Sequence, residues 1–246
     1  MNSLNLGRNF RIFAQLFAEG WQRVIFVGLR NTLLIAILGL LIGILIGTVI
    51  AIIRVMPKYK KLPRFLDKLC TVYVGFFRGT PIVVQLLLAY YVIFPILTAL
   101  INEYTSLQVS ISSLTTCILV FGLNSGAYVS EVMRGGINSV DRGQLEAARA
   151  VGLPYSTSML RIVVPQAVKN ILPTLGNEFI ALVKDTSVVS FVAAVDLYKT
   201  FTEIGNVRYE YLMPYLAMAI LYIVLVMIIS LGVKLLERRL NKNERS

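Results

Sequence analysis

The chain has 246 residues, of which 57% are apolar and 15% charged, and its mean hydropathy is +0.73. A soluble domain averages about 45–50% apolar residues, so this excess excludes an ordinary soluble fold and requires a lipid bilayer as a second apolar environment. The net charge of +11 comes from basic clusters between long apolar runs, which is typical of membrane-protein loops and does not indicate a nucleic-acid surface. The chain has no histidine, which removes the commonest metal ligand, the commonest acid–base catalyst and any His-containing triad. We expect no metal site and no catalytic residue on this chain.

The first thirty residues do not resemble a cleaved signal, because their basic residues precede no short apolar run with a small-residue cleavage site. Residues 4–27 mix Leu, Phe, Trp and Val with Arg, Gln and Glu. Such a mixture favours an amphipathic helix that lies at the membrane interface. We therefore expect residues 1–30 to be an interfacial segment that precedes the first span.

Five apolar stretches are long enough to cross the hydrocarbon core, which takes about 20 residues. The second stretch contains Pro81, which should kink the helix or break it into two pieces. The first stretch carries Gly39, Gly43 and Gly47 at four-residue spacing. This spacing predicts close approach of another helix, within the subunit or across a dimer. The expected spans are about 31–53, 69–98, 110–133, 172–195 and 212–235.

The distribution of basic residues predicts the orientation of the chain. Lys and Arg are concentrated in 54–68, in 134–169 and in 234–245, and they are fewer around 99–109 and 196–211. Because basic loops stay on the cytoplasmic side, five spans place the C-terminus in the cytoplasm and the N-terminus outside. The basic residues before the first span run against this direction for that span.

The segment 134–170 is too polar to span the membrane, yet its sequence is patterned. Residues 146–151 are good helix formers, and Gly152 followed by Pro154 should end that helix and open another. The second helix should cover 155–164 and stop at Pro165. Two short helices with an alanine face would form a knob that fits a groove on another protein. The alternative is a purely structural loop.

Six residues of this segment resemble the EAA loop of ABC importer permeases. Glu146-Ala147-Ala148 is followed at the family's spacing by Gly152, Ile162 and Pro165, with Val164 in place of the usual leucine. Other stretches resemble the polar amino acid branch of that family, and the resemblance extends over roughly residues 20–240. These stretches are 77–81, 127–131, 135–137, 165–167, 175–179 and 184–187.

The resemblance implies an all-α polytopic membrane protein with the type I ABC importer permease architecture, in which residues 1–246 form one transmembrane domain. It implies the permease subunit of an importer for polar amino acids in the bacterial cytoplasmic membrane. Two permease subunits, identical or paired with a sister, would form the path, and an extracytoplasmic binding protein would deliver the amino acid. The coupling loop of each permease subunit would dock on one subunit of an ATPase dimer, and that dimer would bind ATP and Mg. The chain has no phosphate-binding loop of the G-x-x-x-x-G-K-[ST] type, so it carries no cofactor itself. In this scheme the ATPase-coupling residues are Glu146, Ala147, Ala148, Gly152, Ile162 and Pro165.

Charged residues within the predicted spans are costly in lipid, and they should pair or line a polar cavity. Glu178 and Asp185 are two helical turns apart and share one face of the fourth span, with Asn177 and Thr186 beside it. Arg78 of the second span is the natural counter-charge. These five residues form either a substrate path or a structural ion pair between two spans.

Other functions remain open from the residues alone. The chain could be an importer permease for another small solute. A stand-alone channel or secondary transporter would also explain the spans and the intramembrane charges, but it would leave the patterned 146–165 knob without a purpose. A structural membrane subunit of some other complex is a third possibility.

Overall fold

The computed structural model describes residues 6–105, 108–207 and 209–242. These residues are helical or irregular and contain no strand, which confirms the predicted all-α class. Four short segments have other helical forms: π-turns at Val24–Leu29, Ala89–Ile93 and Met159–Val163, and a 3₁₀ helix at Thr186–Val192. The α-helices are α1 Leu6–Arg23, α2 Arg30–Val55, α3 Lys61–Gly79, α4 Ile82–Leu88, α5 Phe94–Tyr104, α6 Ser113–Asn138, α7 Arg142–Ala150, α8 Tyr155–Ser158, α9 Val164–Asp185, α10 Leu197–Asn206 and α11 Leu212–Lys242.

Four helical stretches within the described residues are long and apolar enough to cross a membrane. They are Gly20–Val55, Ile82–Tyr104, Ser113–Asn138 and Leu212–Arg239. The fourth predicted span, 172–195, corresponds instead to α9 and the 3₁₀ helix after it. Helix α9 is less apolar because it carries several polar and charged residues. The count of five spans therefore stays a prediction.

The second predicted span is divided at its proline, as expected. Helix α3 ends at Gly79, and Thr80 and Pro81 have extended backbone, with ψ of 143° and 137°. Proline forces the residue before it out of the helical region, so α3 must stop here. The Pro81 carbonyl then accepts the first backbone bonds of α4, from Val84 and Gln85, at 3.0 and 3.2 Å. The apolar span thus begins after the break, at Ile82.

The prediction that Pro165 stops a helix is wrong. Helical structure runs without interruption from Tyr155 to Asp185, and Pro165 and Pro173 both lie inside α9. The π-turn Met159–Val163 precedes Pro165, and such a turn tolerates a missing backbone donor because its bonding is already shifted by one residue. The Gln166 side-chain amide also donates to the carbonyl of Ile162, at 3.0 Å. Proline therefore modifies this helix without ending it.

The chain forms two compact units. The first comprises Met1–Gly39, Pro81–Phe121 and Leu182–Met227. In it, Phe17 of α1 stacks on Phe201 of α10 with ring centroids 6.4 Å apart, and Arg23 pairs with Glu203 at 3.0 Å. The buried Asp196 carboxylate caps α10 by accepting backbone N–H bonds from its first residues. Helix α1 thus packs its apolar face on protein, and its location at the membrane interface stays a prediction.

The second unit comprises Leu40–Thr80, Gly122–Ala181 and Ile228–Ser246. In it α2 and α6 pack through glycines on both helices. A Cβ on Gly47 would lie 2.7 Å from Val129 Cγ1 and 2.8 Å from the backbone nitrogen of Ser130. The predicted close approach is therefore confirmed for this glycine, within the subunit. Gly43 of α2 likewise contacts Ser125 of α6. In the reciprocal direction, Gly122 and Gly126 of α6 contact Ile42 and Ile46 of α2.

Candidate functional site

Helix α7 carries the first three predicted coupling residues and begins with a side-chain cap. The Asp141 carboxylate accepts the backbone N–H of Gly143 at 2.6 Å, which satisfies one of the free donors at the helix start. Glu146 and Ala147 are exposed, whereas Ala148 is only 4% exposed. Ala148 therefore fixes α7 against the rest of the second unit, while Glu146 and Ala147 remain open to solvent.

Gly152 ends α7 in a Schellman motif. Its φ of +87° is in the left-handed region that favours glycine. The N–H of Leu153 donates to the carbonyl of Ala148 at 3.1 Å, and the N–H of Gly152 donates to the carbonyl of Arg149 at 3.0 Å. This pair of bonds defines the motif. The glycine thus has a local conformational role in shaping the loop.

Replacing Gly152 with alanine should loosen α7. A non-glycine residue in this conformation costs about 1–2 kcal/mol, so we expect amide hydrogen exchange over residues 142–150 to accelerate about 5- to 30-fold. Gly152→Asn should exchange more slowly than Gly152→Ala, because asparagine tolerates the left-handed region better. Gly135→Ala is the control, since a Cβ there meets nothing within 4 Å. Equal protection in Gly152→Ala and the wild type would refute the role.

The second half of the segment reaches the end of α2. Tyr155 begins α8, and its hydroxyl donates to the carbonyl of Val55, with 3.4 Å between the oxygens. Burial raises the pKa of Tyr155, so the phenol keeps its proton and remains a donor. Ile162 is half-buried and Pro165 is exposed. Tyr155 was not singled out from the sequence, because nothing local predicts a bond one hundred residues away.

Apolar side chains are exposed on the loop. Val151 is 78% exposed and Leu160 is 69% exposed, and Ala147, one helical turn before Val151, is also exposed. On a segment too polar to lie in lipid, a group of exposed apolar residues is typical of a protein-binding surface. We call Glu146, Ala147, Val151 and Leu160 the loop surface.

The predicted substrate-path residues lie in different surroundings. Arg78 is exposed at the end of α3, and its guanidinium carbon lies 5.4 Å from the centroid of the Tyr128 ring, a cation–π contact. Asn177 is exposed and Glu178 half-buried, and both belong to the second unit with Arg78. The predicted pairing of Arg78 with Glu178 stays a prediction.

The other two residues of that set belong to the first unit. Asp185 is exposed and is the last residue of α9. Thr186 is fully buried, and its hydroxyl donates to the carbonyl of Val183 at 2.8 Å. Thr186 thus has a bond within its own turn. Among the described residues no group of three or more His, Cys, Asp or Glu could hold a metal ion.

An ion-pair network in the second unit was missed from the sequence. Glu131 of α6 pairs with Arg54 at the end of α2 and with Arg134 at 2.8 Å, three residues further along α6. The spacing of Glu131 and Arg134 is a recognisable helical pair. The contact with Arg54 is not recognisable from sequence, because it requires the packing of α2 on α6.

Comparisons with known proteins agree with this description. Residues 39–242 match the family model described as binding-protein-dependent transport system inner membrane component. The chain is 38% identical, over 70% of its length and 74% of the relative's, to the arginine transport system permease protein ArtQ of Bacillus subtilis. It is 39% identical, over 70% and 74%, to a putative glutamine transport system permease protein of Rickettsia typhi.

Solved structures show the same fold. The crystal structure of an amino acid ABC transporter with histidines matches with a TM-score of 0.76 and 34% identity, covering 97% of this chain and 100% of the other. The inward-facing methionine transporter MetNI matches with a TM-score of 0.70 at 18% identity, covering 87% and 94%, which is a likeness of fold alone. The predicted type I permease fold is thereby confirmed. The family match over most of the chain shows that it belongs to the binding-protein-dependent transport system inner membrane components.

Proposed function

We propose that the chain is the permease subunit of an ABC importer that carries polar amino acids across the bacterial cytoplasmic membrane. Relatives named for arginine and glutamine transport support the substrate class. The observation that carries the coupling role is the exposed, capped helix α7 with its glycine-ended turn. A stand-alone channel has no use for such a helix.

The loop surface docks on the partner ATPase, and the ATPase holds ATP and Mg. In this role Glu146, Ala147, Ala148 and Gly152 are coupling residues and take no part in chemistry. Because α7 has a side-chain cap at its start and a Schellman motif at its end, it moves as a rigid body when the ATPase closes. Ile162 and Pro165 lie on the helical segment that continues from the loop towards Asn177 and Glu178.

The complete importer contains a second permease subunit, identical or a sister, a pair of ATPase subunits and an extracytoplasmic amino-acid-binding protein. Residues 1–246 act as one transmembrane domain, with 1–30 at the interface and 134–170 as the coupling segment. The N-terminus is outside and the C-terminus is cytoplasmic, as the basic clusters favour. Apart from these partners the chain contacts lipid and no nucleic acid.

A substitution at Asp185 is the most direct test of the predicted role in the substrate path. A carboxylate that binds the substrate ammonium contributes about 1.5–3 kcal/mol, so Asp185→Asn should lower uptake by roughly tenfold or more. Asp185→Glu keeps the charge and should retain most uptake. If Asp185→Asn folds normally and transports like the wild type, Asp185 does not bind substrate. If Asp185 instead belongs to a structural ion pair, Asp185→Asn should lower the melting temperature.

The function itself is tested by reconstituting the permease with its ATPase and binding protein in vesicles. We expect ATP-dependent uptake of polar amino acids, and stimulation of ATP hydrolysis when the loaded binding protein is added. Uptake that proceeds without an ATPase would identify a secondary transporter or channel. ATP-driven uptake of another solute, without any uptake of amino acids, would identify a permease of different specificity.

A further inference from the structure

The last turn of α2 is held from two directions within the second unit. Arg54 pairs with Glu131 of α6, and the two side chains are only 16% and 22% exposed. One residue further on, the carbonyl of Val55 accepts the Tyr155 hydroxyl bond. Two successive residues of α2 therefore contact α6 and the coupling segment.

Both contacts are directional, and the packing beside Val55 and Tyr155 is incomplete. A cavity of about 240 Å³ lies beneath the coupling segment, and Val55, Ile137, Glu146 and Tyr155 are among the residues that line it. Close packing would let apolar contacts transmit displacement, but a cavity removes part of those contacts. The Tyr155 hydroxyl bond is thus a specific link between the coupling segment and the end of α2. The Arg54–Glu131 pair adds a polar link to the glycine packing that already joins α2 and α6.

The end of α2 is in turn fastened to the start of α3. Lys58, just after α2, pairs with Asp67 of α3 at 2.6 Å. Arg64 of α3 donates to the carbonyls of Lys58 and Tyr59, at 3.1 and 3.3 Å. The turn 56–60 is therefore held to the first turns of α3. The end of α2 and the start of α3 are thus joined by polar contacts.

We propose that Tyr155, Arg54 and Glu131 are positioning residues. Tyr155 ties the coupling loop to the end of α2, and the Arg54–Glu131 pair holds that helix end on α6, so that movement of the loop is transmitted to the α2–α3 turn. The inference rests on the proposed function, because it concerns how the same loop drives transport. Without these links the loop still docks on the ATPase, but less of its movement reaches α2 and α3. Loss of the links should therefore lower uptake per ATP hydrolysed while assembly persists.

The test uses the complete complex with its ATPase and binding protein in vesicles, and measures uptake and ATP hydrolysis in the same preparation. Tyr155→Phe removes only the hydroxyl, and Arg54→Gln removes the charge and the guanidinium donors and shortens the side chain. For each we expect uptake per ATP hydrolysed to fall about threefold or more, as for residues that carry coupling between sites. Co-purification of the ATPase and the melting temperature of Tyr155→Phe should stay close to the wild type.

Arg134→Gln is the matched control. It removes the other partner of Glu131, and this ion pair lies within α6, three residues apart. We expect its uptake per ATP to equal the wild type. If Arg134→Gln lowers the ratio as much as Arg54→Gln, the effect comes from charge balance at Glu131 and the inference is overturned.

A double variant separates a shared mechanism from two unrelated defects. If Tyr155 and Arg54 act on the same helix end, the effect of Tyr155→Phe with Arg54→Gln should be smaller than the product of the single effects. A double variant whose effect equals that product overturns the shared link. Wild-type uptake without ATP dependence would defeat the proposed function itself. ATP-driven wild-type uptake with an unchanged ratio in both single variants would defeat only the inference.

Discussion

Replacing Ala147 with aspartate is expected to abolish ATP-driven uptake while the permease remains folded. Ala147 is exposed on α7 next to Glu146, so a carboxylate there meets solvent in the isolated chain and does not disturb its core. If the loop surface docks on the ATPase as proposed, the same carboxylate would be buried in that interface. A change of this kind at the centre of an interface costs about 2–4 kcal/mol, which lowers affinity about 30-fold or more.

The measurement is co-purification of the ATPase with the permease, together with uptake in vesicles. Ala147→Ser serves as the control, because serine is nearly as small as alanine and carries no charge. It should bind the ATPase and support uptake close to the wild-type rate. Ala147→Asp that binds the ATPase normally would show that the loop surface is not the docking site.

Replacing Gly47 with alanine should destabilise the fold, although alanine ordinarily favours a helix. The added Cβ would lie 2.8 Å from the backbone nitrogen of Ser130, which cannot move aside as the end of a flexible side chain could. Overpacking of this kind costs about 1–3 kcal/mol. We expect a lower melting temperature for the variant in detergent, with loss of uptake in proportion to unfolded protein.

Gly75→Ala provides the comparison for this effect. Gly75 lies within α3, and a Cβ there meets nothing within 4 Å. Alanine at this position should stabilise the helix by about 1 kcal/mol through propensity alone. A Gly47→Ala variant as stable as Gly75→Ala would mean that α2 and α6 do not approach as closely as the structure describes.

Several features of the chain followed from local sequence. The break at Pro81 follows from the steric restriction that proline places on Thr80. The end of α7 at Gly152 follows from the ability of glycine to adopt positive φ. The helix stop at Pro165 was predicted by the same kind of reasoning and is wrong, because the π-turn before it accommodates the missing donor.

The contacts of Glu131 and Tyr155 could not have been predicted in this way. Their partners, Arg54 and Val55, are 77 and 100 residues away in the chain. The hydrophobic pattern of a helix predicts which face is apolar. It does not predict which distant helix end a polar side chain will contact. The sequence around Glu131 indicates only its pairing with Arg134, three residues further along the same helix.

The sequence by itself determined the all-α class, the apolar stretches, the glycine-mediated approach of α2 and the coupling helix that ends at Gly152, because each depends on composition or on residues within a few turns of one another. Only the tertiary structure decided which helix meets those glycines, which coupling residues face outwards and how the end of α2 is held. These features depend on contacts between segments far apart in the chain, and such contacts form only when the helices pack.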